Sequence, residues 1–340
     1  MTQESPALQE ARRIAEDVLF PAALEVDAAE RVPESHLELL AERGFYGLAA
    51  SPETTPLDVG DFPSVLRLIE VLASGCLTTT FVWIQHHGVL AAAETTKNRN
   101  LRENYLSDLV RGKRRGGIAL GSALRTGPAP LRAEPVVGGY LLEGEAPWFT
   151  GWGMVDSLLV AGHTSDDTLV FAMLDVAESD VLHAEPLDLI AVQASGTVTL
   201  RFNRYFVPRD RIASTVPQSD YLQGDSGSVR FNGALALGVA GRAIALLGDD
   251  AGDLPAQLEA TRARLVEATA EELSEVRAQA SELAMRAASA AAVHHGSRSV
   301  LPGSHAQRLV REATFLLLFG SRPSIKSALL DRLTARREPA

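Results

Sequence analysis

The sequence predicts an α+β multidomain chain whose helices and strands fall in three consecutive blocks. These are an N-terminal helical domain over residues 1–113, a central antiparallel β domain over 114–215 and a C-terminal helical bundle over 216–340. Three observations predict it. Apolar residues recur at helical spacing in the first third. Short β-type runs separated by Gly, Pro or Asp/Ser clusters fill the middle. Ala, Glu, Leu and Arg, all good helix formers, dominate the last third. The block order argues against alternating βαβ units, and no GxGxxG sequence follows a strand at a helix start, so no Rossmann nucleotide site is indicated.

From Pro6 to Leu48, Leu8, Ile14, Ala15, Leu19, Leu24, Leu37, Leu40 and Phe45 keep helical spacing, with Pro21 and Pro33 as breakers, so two or three helices are expected. Gly44-Phe45-Tyr46-Gly47 and the Ser/Pro/Thr-rich stretch to Pro63 read as a loop. The next helix starts near Pro63 and buries Val65, Leu66, Ile69, Leu72 and Ala73. Helices follow over Leu77 to Glu94 and Arg99 to Val110. Strands are expected at 116–124, 139–149, 157–162, 169–174, 181–183 and 197–202, the last with Val198, Leu200 and Phe202 on one face. Helix returns over 233–248 and 254–296, breaks at Pro302-Gly303-Ser304, and ends with 305–318.

The formal charge of −11, with 32 basic against 43 acidic side chains, argues against a nucleic-acid partner, although Arg111-Gly112-Lys113-Arg114-Arg115 could form a local positive patch or a solvated helix end. No uninterrupted apolar window of about 20 residues is present, so no membrane span is expected. The first residues carry no hydrophobic signal core, and a cytoplasmic location follows as an expectation. The lone Cys76 excludes an internal disulfide framework and is expected as a small buried residue inside a helix. Of His86-His87, one is expected to face the core and one the solvent. His294-His295, adjacent in sequence, do not share one helix face and make a poor metal pair.

Several segments resemble the acyl-CoA dehydrogenase superfamily. Tyr140 to Gly151, with Glu143-Gly144-Glu145-Ala146-Pro147-Trp148-Phe149-Thr150, is similar to the family's strand pair, followed by Asp156 to Ala161. Val198 to Ile212 is similar to the strand that leaves the β domain through a Val-Pro, here Val207-Pro208. Gly44 to Leu48 and the helix around Glu70 look like the family's helical domain. The resemblance implies an FAD flavoprotein, with FMN as the alternative cofactor. Trp148, Phe149 and Thr150 would lie against the isoalloxazine ring, with Thr150 supplying a hydrogen bond. Leu120, Gly121 and Ser122 occupy the place of the family's first strand and Gly-Ser turn, the turn itself being replaced by Arg125 to Pro128. His295 and Gly296 resemble the loop that touches the adenine side of a neighbouring subunit's FAD.

What the chain lacks is equally specific. Dehydrogenation of an acyl thioester needs a carboxylate to take the α-proton. In the resemblance the two places for it fall on Phe319, before Gly320-Ser321, and on Val229, before Arg230. The family's Arg and Phe-Gly segment, which meets the flavin diphosphate, has no counterpart between Leu247 and Pro255; Arg242 and Arg262 are the nearest substitutes. Arg308 and Glu312 fit an i, i+4 helix pair. Three readings follow. The first is an oxidoreductase on the CH–CH group of an acyl-CoA, acting with an unrecognised base or as the base-less subunit of a hetero-oligomer whose partner supplies it. The second is a flavin monooxygenase or oxidase of the same fold, and the third a scaffold that has lost flavin. A homodimer or homotetramer is implied, with a hetero-oligomer as the alternative, and no metal.

Overall fold

Ser5 starts the first helix: its hydroxyl accepts from the Leu8 N–H at 3.3 Å, and Pro6 occupies the first turn, where its missing donor costs nothing. The computed structural model describes residues 4–55, 57–124, 129–224 and 226–334. Helix α1 (Pro6–Ile14) passes through a π turn (Ala15–Leu19) into α2 (Phe20–Ala28), and α3 (Glu34–Glu42) follows. Asp61 caps α4 (Phe62–Gly75) through the Ser64 N–H at 2.9 Å. Cys76 adopts an extended conformation that separates α4 from α5 (Leu77–Thr95). It is buried, as expected, but it lies between two helices and not within one. Asn98 caps α6 (Arg99–Val110), and its amide also donates to the carbonyls of Arg209, Asp210 and Ile212, tying the helical block to the sheet.

Among the described residues the sheet has eight strands: β1 (Gly116–Ala119), β2 (Leu131–Val136), β3 (Gly139–Phe149), β4 (Ser157–His163), β5 (Thr168–Asp175), β6 (Leu182–Pro186), β7 (Val198–Pro208) and β8 (Ile212–Pro217). Their order is β6-β7-β3-β2-β4-β5-β8, with β1 also on β4. The expected antiparallel domain is therefore mixed. β1 runs parallel to β4 over four pairs, and β2 meets β4 through the single parallel pair Arg132 and His163. The first predicted strand ends at Ala119, because residues 121–124 form a turn.

The last block contains α7 (Gln218–Gly224), α8 (Ser226–Leu247), α9 (Leu254–Glu267), α10 (Leu273–His295), α11 (His305–Leu318) and α12 (Pro323–Thr334). The helical stretch expected over 254–296 forms two helices, and α12 is an addition to the prediction. The stretch around α8 is long and apolar enough by composition to cross a membrane, a test that a buried core helix also passes, and most of that window is buried inside the fold. Helix α8 packs on α4 and α10. Gly238 makes the α4 crossing possible: a Cβ there would lie 2.5 Å from the Glu70 carbonyl oxygen and 2.7 Å from the Ala73 Cβ.

Candidate functional site

Pro147 has no N–H to give the β3–β7 ladder, and the ladder slips where it occurs. Ala146 pairs with Leu200 and Phe149 with Val198, so β3 advances three residues while β7 advances two. The surplus is a bulge at Pro147-Trp148, and Trp148 takes φ +66°. Bulges re-aim side chains. Phe149 turns inward and is fully buried, whereas Trp148 is 53% exposed. Beyond the bulge the chain is locked by the loop before β7: the Gly151 N–H donates to Ser195 O at 2.9 Å and the Trp152 N–H to Gly196 O at 3.0 Å. The buried hydroxyls of Thr150, Thr197 and Ser195 form a chain with spacings of 3.0 and 2.7 Å.

β1 lies against this segment because Gly117 has no side chain. A Cβ there would sit 2.7 Å from the Phe149 ring and 2.8 Å from the Thr150 carbonyl oxygen. Where β1 ends, Gly121 approaches the Pro147 carbonyl, its notional Cβ 3.6 Å away. The structure thus brings Leu120-Gly121 beside Trp148-Phe149-Thr150. Ser122 is different. Its hydroxyl is buried and donates to Ala161 O at 2.5 Å, and its carbonyl pairs with His163 Nε2 at 2.9 Å, so its side chain faces the sheet. Residues 125–128, part of the altered turn, lie outside the described residues.

Helix α5 supports β1 from the helical side. His86 Nδ1 accepts from the Gly116 N–H at 3.0 Å, which puts the imidazole proton on Nε2, and Gly88 lets Ile118 approach its backbone. Both histidines are buried, 1% exposed at His86 and 3% at His87, where one exposed ring was expected. The fold covers α5 on more than one face. Burial lowers the His86 pKa to about 3, against the carbonyls of Leu109 and Tyr46, and holds His87 well below the usual range with help from His86.

The two positions that the resemblance assigns to a base adjoin one another. Asn232, three residues after Val229, packs its amide over Gly320, next to Phe319. Val229 is buried, and Phe319 is half-buried against Phe81 at 4.8 Å and Phe315 at 5.3 Å between ring centroids. Arg230 is committed elsewhere, donating to the carbonyls of Leu265 and Ala268. Arg277 lies behind the Phe319 turn, fully buried, and donates to Leu316 O at 3.0 Å and Phe319 O at 3.4 Å; burial lowers its pKa to about 10. Sequence reasoning missed it, because a lone Arg in an Ala-rich helix reads as a surface charge.

The substitutes proposed for a diphosphate contact are also spoken for. Arg242 binds Glu16 at 2.6 Å and Ser74 O at 2.8 Å and covers the Phe20 ring, and Arg262 binds buried Glu70 at 2.7 Å. In the basic patch Arg114 bridges to Asp175 and Arg115 to Glu34. Arg308 and Glu312 form the expected pair at 2.6 Å, almost fully buried, and burial pushes the Glu312 carboxyl up. His295 and Gly296 are exposed at the C-terminal end of α10, on the helical side of the fold from the bulge, with Arg298 exposed in the same turn. A helix C-terminus repels anions, so this turn suits a neutral base better than a phosphate. A cavity of about 400 Å³ lies apart from these segments, between α1, α4, α8 and α9, with Arg67 and Arg262 already paired to Glu70 in its wall.

The family described as "Acyl-CoA dehydrogenase, N-terminal domain" matches residues 2–113. Among curated relatives, isovaleryl-CoA dehydrogenase of Arabidopsis thaliana is 24% identical over 62% of this chain and 54% of its own length. Benzylmalonyl-CoA dehydrogenase of Aromatoleum aromaticum is 26% identical over 72% of this chain and 67% of its own. The first third of the chain is thus similar to the N-terminal domain of acyl-CoA dehydrogenases, and the curated relatives extend that similarity at about a quarter identity. The match spans about half the length of the Arabidopsis relative. Solved acyl-CoA dehydrogenase-like structures share the fold over nearly the whole chain. Butyryl-CoA dehydrogenase of Megasphaera elsdenii superposes with TM-score 0.83 at 18% identity, covering 97% of this chain and 98% of that one. PigA with FAD and proline gives 0.83 at 17%, covering 98% and 97%. The prolyl acyl carrier protein oxidase AnaB gives 0.81 at 16%, covering 98% and 100%.

The residues around the bulge fit the ring of a flavin. An exposed indole, a backbone opened by the bulge and the glycine-bearing end of β1 converge there, while the Thr150 hydroxyl is engaged with Thr197 and leaves the main chain as the polar contact. For the diphosphate, neither Arg242 nor Arg262 is free.

Proposed function

We propose that this chain is a flavoprotein oxidoreductase subunit that acts on the CH–CH group of an acyl thioester. The Trp148 bulge would hold the ring of FAD, and a second subunit would supply the α-proton base and the diphosphate contact. The observation that carries this reading is the bulge: in a chain with this fold, one strand presents an exposed aromatic at positive φ beside the end of β1. When bound, the flavin supplies the acceptor for the substrate's hydride. Trp148 supplies stacking area, Phe149 anchors the strand beneath it, and the Thr150 segment offers main-chain hydrogen bonds near the ring. Leu120 and Gly121 border the same space, and Ser122 stiffens it from behind through Ala161. His295 and Gly296 would face the adenine side of a neighbouring subunit's cofactor.

The missing carboxylate favours a second reading, an oxidase or monooxygenase of the same fold, for which no α-proton base is needed. Phe319 and Val229 support it, and AnaB shows that the fold is used by an oxidase. A visible spectrum of the purified protein tests both readings. Flavin absorbance, or its gain on incubation with FAD or FMN, is the expected result, and its absence after both incubations leaves the scaffold reading. Anaerobic bleaching by acyl-CoAs once a base-bearing subunit is added supports the dehydrogenase. Failure across chain lengths with that subunit present favours the oxidase.

A further inference from the structure

We propose that the turn from Val192 to Gly196 positions the flavin, and that Gly196 is the residue that sets the placement of the main chain meeting the ring. This role rests on the flavin reading above and deepens it. Past Phe149 the β3–β7 ladder has ended, so strand pairing no longer fixes Thr150 to Trp152. The turn takes over that task. Ser195 O accepts from the Gly151 N–H at 2.9 Å and Gly196 O from the Trp152 N–H at 3.0 Å, while the Ser195 and Thr197 hydroxyls link to the Thr150 hydroxyl. With that hydroxyl engaged, the main chain is the polar group left for the ring, and whatever fixes the main chain fixes the contact.

The turn is built against its own backbone preference. Val192 and Gly196 flank a single 3₁₀ turn (Gln193–Ser195), and both are left-handed, at φ +52°, ψ +31° and φ +58°, ψ +43°. A β-branched residue is an outlier in that region and persists there only where its surroundings over-determine it. They do so here. The Val192 side chain is fully buried in one cluster with Trp83, Met154 and Ala194. The Val32 N–H donates to Ala194 O at 2.9 Å, Gln193 Oε1 accepts from the Leu189 N–H at 2.6 Å, and Arg311 of α11 donates to Ile190 O at 2.8 Å. Neighbours on the helical side therefore hold the turn in a conformation its sequence does not favour. Glycine is needed at 196 for closeness as well as for φ. A Cβ there would lie 2.8 Å from Trp152 O and 3.0 Å from Met154 Cε. A side chain at 196 must push the Trp152 peptide away, and the main chain at Thr150, two residues earlier, moves with it.

Gly196→Ala tests the role, read by flavin potential and by amide exchange. Main-chain donors favour the electron-rich reduced ring. Pulling them back should weaken binding of reduced relative to oxidised flavin at least tenfold, which lowers a two-electron midpoint potential by about 30 mV. Exchange of the Gly151 and Trp152 amides should become at least tenfold faster in the same variant, with or without flavin. Should Gly196→Ala fail to fold, Ser195→Ala, which removes the hydroxyl link and keeps the carbonyl, should shift the potential in the same direction. A folded, flavin-loaded variant with the native potential overturns the proposal even if its melting temperature falls, because a purely structural glycine would affect stability alone. Unchanged amide exchange overturns it as well. Failure of the native protein to take up FAD or FMN is a separate result: it defeats the cofactor reading, and the positioning role falls with it.

Discussion

Trp148 pays a backbone cost for its exposure. A non-glycine residue in the left-handed region carries about 1–2 kcal/mol of steric strain, and half of this large side chain gains no burial in return. Trp148→Gly should therefore change the melting temperature by no more than a few degrees, because relief of strain offsets the lost contact. Flavin affinity should fall at least tenfold, read by fluorescence titration with FAD. The buried histidines give the second prediction at this scale. Their pKa values are depressed by burial, so the folded state keeps them neutral while the unfolded chain protonates near pH 6.5. The stability they contribute is fully present above pH 6.5 and is lost as pH falls toward the folded value, about 3 at His86. The expected slope approaches about 1.4 kcal/mol per pH unit for each histidine. Denaturant titrations between pH 7 and 4 should show His87→Leu with roughly half the native slope. Equal slopes would count against the pair as the source. The residue types of both sites were legible in the sequence, but the bulge was not, because a proline displaces register only relative to a partner strand. Nor was the burial of the second histidine, which depends on what covers α5.

Among the elements, those with strong periodicity were the legible ones: α6 occupies the expected Arg99–Val110, and α5 runs one residue past its expected end. The break between α9 and α10 was hidden, since Ala268 to Glu272 is made of residues that a helix accepts, and the Ala268 carbonyl is instead taken up by Arg230. β2 and β8 escaped for a related reason. Glu134-Pro135 and Ser214-Thr215 interrupt the apolar alternation, and both strands depend on β3 and β5 for their pairing. The end of α11 shows what a sequence withholds most completely, a buried cation whose partners are carbonyls. Arg277 has no ion-pair partner among the described residues; it serves the orphan acceptors of a helix C-terminus, with Ser281 also on Leu316 O at 2.9 Å. Arg277→Met should cost about 1–3 kcal/mol, the penalty for leaving buried acceptors unpaired. Arg277→Lys should recover part of it. Near-UV circular dichroism should report loosening of the Phe315 and Phe319 rings in the Met variant, and an unchanged melting temperature would show that the latch has no energetic role.

In the whole molecule, Val89, Leu90 and Leu101 of the helices share one buried apolar cluster with Leu159, Leu169 and Phe171 of the sheet, and directional hydrogen bonds add to it. Asn98 spans three carbonyls at the end of the sheet, the Thr96 hydroxyl donates to Ala213 O at 2.6 Å, and Arg311 reaches both Asp27 and the Ile190 carbonyl. The bulge and the end of β1 sit at this junction, so a ligand bound there contacts the folded arrangement and has no counterpart in the unfolded chain. Mass action then sets its effect on stability: a ligand at 100 times its dissociation constant adds about 2.7 kcal/mol. FAD at that excess should raise the melting temperature by several degrees, and Trp148→Gly should abolish most of the rise at the same concentration. FMN shares the ring and lacks the adenosine half, so it measures how much of the binding the bulge provides by itself. If the diphosphate and adenine contacts come from a second subunit, FAD and FMN should shift the isolated chain equally, and the advantage of FAD should emerge only in the assembled oligomer. Differential scanning calorimetry of the chain alone and with a base-bearing partner checks this. A larger shift by FAD in the isolated chain would place the diphosphate site within this chain and remove the need for a partner to hold the cofactor.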